Sequence, residues 1–274
     1  MHNLNLTALF PEPPPDRMRG TYKSSACTDA ERVFSDNLGV VESLSMVPGV
    51  AFMTGEDWGH ALSDAMREKN CTDSQRSDVQ QKAEENWNYR DARDWEERRK
   101  EFLGGVALTE KAACMNGREY GRKALHSLLR SLITQSWSAY ELLAEMLIIG
   151  CKEKHPTLFS NGILAKRHSV RNGTALPKSF EDVFSDNQIS AAAWSSDIKG
   201  HALLRHLLIH LQGKVDKSHV DQRQSAPAVT EWDAYKEGDE ILLDGELVRR
   251  LIDRTTRGGY ALLDAVSNWV NART

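Results

Sequence analysis

One stretch of the chain gathers residue types able to do acid–base and phosphate chemistry: HALLRHLLIHLQGKVDKSHVD, residues 201–221. Read as a helix at about 100° per residue, Leu203, Leu204, Leu207, Leu208 and Leu211 form an apolar stripe roughly 140° wide. On the same wheel His201, Arg205, His206 and His210 fall on the opposite half. Burying the leucines therefore projects one guanidinium and several imidazoles from a rigid element. A guanidinium holds phosphate through paired hydrogen bonds, and an imidazole titrates near neutrality. Together they form a minimal set for phosphodiester chemistry. Such a face is also found as ordinary solvated surface. His206 and His210, one turn apart, can share a metal, but no HExxH motif and no third ligand accompanies them, so no metal site and no cofactor are expected.

The elements that must position this segment follow from periodicity. Leu125, Leu128, Leu129, Leu132, Ile133, Tyr140, Leu143, Ala144 and Leu147 recur at spacings of three and four, which predicts a long core helix. Ser136 lies in the stripe, where a small side chain lets another helix approach. His155-Pro156 ends it, because the residue before proline avoids the α region. The pattern turns helical after Gly104 and Gly105. Asn161–Lys178 carries Lys166, Arg167, Arg171 and Lys178 without an acidic residue and reads as a basic loop. A short helix over Ser179–Phe184 and a long one over Ile189–Leu211 are expected next, with Gly213 as the stop. After a polar loop near Gln222–Thr230, Gly238–Leu243 reads as a turn and a short extended segment. Asp244 then caps a last helix that buries Leu247, Leu251, Leu262, Val266 and Val270.

Ahead of this half the chain changes character. Pro11, Pro13, Pro14 and Pro15 are half of the 8 prolines and mark residues 1–30 as an extended arm with no core element. Residues 31–104 form a charged N-terminal region, with one helix around Val33–Leu44 and a polar run from Glu56 to Glu101. That run is a solvated helix or a connector, and Trp87, Tyr89 and Trp95 suggest that it touches something. Residues 105–272 form the helical domain. The expected class is all-α, a helical bundle with an extended, partly disordered or helical N-terminal region.

Composition sets the outer limits. The chain has 274 residues and a formal net charge of −4, which excludes a globally basic nucleic-acid binder but not a local basic site. Collagen-like, disulfide-rich and fully disordered classes also fail. The 4 cysteines, Cys27, Cys71, Cys114 and Cys151, form no Cys-x-x-Cys pair and read as thiols of a reducing compartment, with one or two disulfides left open. No secretory signal is evident, and the most apolar run, Leu142–Cys151, contains Glu145 and is too short to span a bilayer. A cytoplasmic protein without membrane partners is the expectation.

Arg205-His206-Leu207-Leu208-Ile209-His210 resembles the signature of the HEPN superfamily: arginine, a polar residue, three more residues, then histidine. The surroundings are similar too. A long core helix (LLRSLITQSWSAYELLAEMLI) precedes, a Gly-x-Val-Asp turn (Gly213–Asp216) follows, and a Gly-Asp-Glu-Ile-x-Leu segment feeds the last helix. The similarity covers about residues 105–272. HEPN domains occur in many prokaryotic RNases and in toxin and antiphage systems. The resemblance implies a HEPN-type bundle with metal-independent endoribonuclease activity, in which the ribose 2′-OH attacks the adjacent phosphorus and leaves a 2′,3′-cyclic phosphate. It implies His210 as general acid/base, Arg205 as the clamp on the charged phosphorane, and His206 as a residue that positions either. It also implies RNA as partner, a homodimer that pairs two such motifs, and an antitoxin or defence-system partner. Lys166, Arg167, Arg171, Lys178, Lys214 and Lys217 are the expected phosphate contacts. The alternative is a non-catalytic HEPN-like RNA-binding or protein-interaction module.

Overall fold

A computed structural model describes residues 4–10, 22–48, 95–113, 119–166, 175–211, 213–223 and 235–274. The proline run, Cys71, Trp87, Tyr89, Cys114, Arg167, Arg171 and most of the Gln222–Thr230 loop lie outside the described residues. Among those described the chain is all-α. A 3-10 turn at Leu6–Leu9 is followed by α1 (Ser25–Ser45), α2 (Trp95–Ala113), α3 (Glu119–Lys154), α4 (Asn161–Ala165), α5 (Leu176–Phe184), α6 (Asn187–Ala193), α7 (Ser196–His210), α8 (Lys217–Arg223) and α9 (Gly245–Asn271). The expected extended segment makes a single antiparallel bridge, Lys214 with Glu240, rather than a strand.

Two apolar clusters share the long helices. The first takes Ala26 to Leu38 of α1, Trp137 to Cys151 of α3, Phe180 and Phe184 of α5, and Tyr260 to Val270 of α9. The second takes Leu125 to Ile133 of α3, Leu204, Leu207 and Leu208 of α7, and Leu247 to Ile252 of α9. Since α3 and α9 both pass from the second cluster to the first, they run in the same sense. Helices α1 and α7 run the other way: Phe34 and Ile198 belong to the first cluster, Val41 and Leu204 to the second. Contact between α1 and α9 is tight, because a Cβ at Gly259 would collide with the Phe34 ring.

Helix ends follow local chemistry. Asp244 caps α9 through Leu247 N at 2.8 Å, and α3 stops at Lys154, just before His155-Pro156. Gly213, at φ +86°, closes α7: its N–H and that of Leu211 both donate to Leu207 O.

Four expectations change. Residues 1–30 do contain core: Leu4, Leu6 and Leu9 are buried, and the Glu110 carboxylate accepts the N–H groups of Leu4, Asn5 and Leu6 at 2.8–2.9 Å. Helix α2 runs through Gly104 and Gly105 instead of starting after them, as propensity yields to the packing of Val106 and Glu110. Within the expected basic loop, Ser160 caps the short helix α4, its side chain accepting from Ile163 N. The expected Ile189–Leu211 helix is two, because Trp194 leaves the α region and Ser195 caps a new start at Ser196.

Candidate active site

Helix α7 is fixed along its length by Ile198, Leu204, Leu207 and Leu208, all buried. His201 is buried with them, contrary to its expected place on the polar half. It lies only about 20° from Leu208 on the wheel, so the buried face reaches it. Its ring binds Ile133 O at 3.0 Å through Nε2 and Thr255 Oγ1 through Nδ1, and packs against Trp137. Desolvation pushes its pKa down to about 4, which keeps it neutral, and its role is structural.

Arg205, His206 and His210 remain at the surface of the same helix. Arg205 is half-buried, and its Nε is buried without a hydrogen-bond partner. The exposed rings of His206 and His210 lie 4.7 Å apart, centroid to centroid.

A third imidazole joins them. After Gly213 the Lys214–Glu240 bridge turns the chain, with Val215 N donating to Asp239 O at 2.9 Å. Asp216 then caps α8 by accepting the His219 backbone N–H at 2.9 Å. The same Oδ1 meets His219 Nδ1 at 2.6 Å, while Nε2 meets Leu203 O at 3.2 Å. His219 is therefore locked between α8 and α7, 3 % exposed, with its ring stacked on His206 at 5.6 Å and 27°. Nothing in the reading of α7 alone selects it. The Asp-x-x-His spacing of Asp216 and His219 is the signal that finds it, since an N-cap carboxylate sits beside the third residue of its own helix.

The electrostatics follow from these contacts. Partial desolvation, then the neighbouring His210 and His219 and lastly Arg205, hold His206 below the usual imidazole range, with Asp216 opposing. The bonds from His219 hold Asp216 below the usual carboxylate range.

The expected phosphate contacts separate into groups. Lys214 and Lys217 are exposed and follow α7 directly. Arg130 of α3 reaches the same turn, 3.9 Å from Glu240, and was not among the expected residues. Lys166 is paired with Asp182 at 2.6 Å, and with Lys178 it flanks side chains of the first cluster, whereas Arg205–His210 flank the second. Among the described residues no group of three or more His, Cys, Asp or Glu is arranged to hold a metal ion. No described helix is long and apolar enough to cross a membrane. Cys27 and Cys151 are buried free thiols.

No family model matches the chain, and neither a curated protein nor a solved structure matches it.

Proposed function

We propose that the protein is a HEPN-type, metal-independent endoribonuclease of the cytoplasm, of the kind that serves as a toxin or antiphage effector. The observation that carries this reading is the grouping of Arg205, His206, His210 and His219 at one end of α7, with the Arg205 Nε unsatisfied. Imidazoles supply proton transfer near neutral pH, and the guanidinium stabilises the phosphorane as its charge develops. The 2′-OH of the substrate attacks the adjacent phosphorus, the bond to the 5′ oxygen breaks, and a 2′,3′-cyclic phosphate and a 5′-hydroxyl result. His210 acts as general acid/base, Arg205 as the phosphate clamp, and His206 beside them as their positioning partner. Lys214 and Lys217, which follow α7 directly, hold flanking phosphates.

A second copy of the chain fits this chemistry. Arg205 and His210 are about 140° apart on an ideal helix, so a dimer that pairs two α7 helices lets one copy's arginine face the other's histidine. Growth on overexpression is a direct test in cells. Wild type is expected to slow growth, and a folded His210→Ala form to leave it normal; equal growth of the two speaks against an unrestrained RNase. RNA retention that survives both Arg205→Ala and His210→Ala, with no cleavage by wild type, would favour the non-catalytic module.

A further inference from the structure

We propose that His219 is a positioning residue of this site: clamped as an imidazolium between Asp216 and Leu203, it stacks on His206 as a fixed positive charge and keeps that ring neutral, ready to accept a proton. The inference rests on the endoribonuclease reading and changes one role in it: His206 takes the proton of the 2′-OH, and His210 is left as the acid.

Each ring nitrogen of His219 meets an acceptor. Leu203 O is a carbonyl and can only accept, so Nε2 carries a hydrogen. Asp216 Oδ1 already accepts the backbone N–H of His219, as an ionised carboxylate does, so Nδ1 carries one as well. A ring with both nitrogens donating is the cation, and it is buried only because the carboxylate compensates it. Its plane is set by two hydrogen bonds from two helices, so the face it offers His206 is fixed.

The groups facing His206 are Arg205 and His210 of its own helix and Asp216 and His219 from the α8 side. Desolvation and the three cations or potential cations all favour neutral His206, and Asp216 alone opposes them. The proton transfers then divide. His206 takes the 2′-OH proton as the 2′-oxygen bonds to phosphorus, and His210 gives a proton to the departing 5′ oxygen. Each proton lost by the substrate is matched by one returned.

The test uses the full chain labelled with 15N-histidine, with RNA cleavage followed in parallel. At pH 7 both ring nitrogens of His219 are expected to be protonated. In His219→Gln the titration midpoint of His206 is expected to rise, since a unit charge at this separation shifts a neighbour by about half a unit even with water-like screening. The acidic limb of the cleavage pH profile moves up with it, whereas a merely structural role would lower the rate equally at every pH. An unprotonated ring nitrogen on His219, or an unmoved His206 midpoint in a folded variant, overturns the proposal. If His219→Gln does not fold, the wild-type nitrogen shifts decide alone. Absence of cleavage by wild type removes the endoribonuclease reading and the base role, while the titrations still show whether His219 sets the charge on His206.

Discussion

Asp216 holds His219 twice, accepting its backbone N–H at 2.9 Å and its ring Nδ1–H at 2.6 Å through one carboxylate oxygen. One side chain thus starts helix α8 and orients the imidazole that stacks on His206. Folding of the turn after α7 places the third imidazole of the candidate site.

Replacing Asp216 by alanine removes the cap and the ring partner together. The cap alone accounts for an expected loss of about 1 kcal/mol of stability at neutral pH, and the buried ring left without its carboxylate adds to it, both read from urea unfolding. Because the folded carboxyl lies below its unfolded value, this contribution is complete above the unfolded value and disappears as pH falls through the folded one. An Asp216→Ala protein as stable as wild type at pH 7 would mean that the cap contributes nothing.

His201 predicts a second pH dependence of larger size. Its pKa falls from an ordinary 6.5 to about 4 in the fold, so the unfolded chain binds the extra proton first. Stability is full above about pH 6.5 and drops as pH falls towards 4, by roughly 3 kcal/mol in all. In His201→Gln that part of the pH dependence should vanish. Parallel stability curves for the two proteins between pH 7 and 4 would count against a buried neutral ring.

Much of this architecture is legible in the sequence, and the exceptions share a cause. The stripe of α3 and the Asp244 cap of α9 are local patterns, one set by the 3.6-residue period and one by a single capping side chain. Leu4, Leu6 and Leu9 lacked any such pattern, since the segment is held through Leu4 and Leu6 by Glu110, about a hundred residues away. The break at Trp194–Ser195 interrupts a run whose apolar residues continue on both sides, so periodicity passes over it. His201 and His206 are one residue type on one helix. Ile133, Trp137 and Thr255 on the neighbouring helices enclose the first and make it core. The candidate site was visible as far as α7 extends, and incomplete where α8 folds back onto it.

Glu110 offers a test of the N-terminal anchor. Its carboxylate is the acceptor for three backbone N–H groups, and truncation leaves them inside the second cluster without partners. Glu110→Ala is expected to cost about 2–4 kcal/mol. Amide exchange should rise at Leu4, Asn5 and Leu6 in this variant before it rises in α3. Unchanged protection there would show that the carboxylate does not hold the segment.

Close packing of α1 on α9 predicts a cost for one methyl group. In Gly259→Ala the added Cβ meets the Phe34 ring, and either helix must shift. A loss of about 1–3 kcal/mol is expected, visible as a lowered Tm, and the smaller Phe34→Leu should recover part of it in the double variant.

RNA cleavage in EDTA is the decisive test of the chemistry at the end of α7. Purified wild type, Arg205→Ala and His210→Ala would each be incubated with total cellular RNA, and the product ends analysed. Fragments bearing 2′,3′-cyclic phosphate and 5′-hydroxyl ends are expected from wild type, and no cleavage by either folded variant. Fragments with 5′-phosphate ends, or equal cutting by all three proteins, would contradict that chemistry.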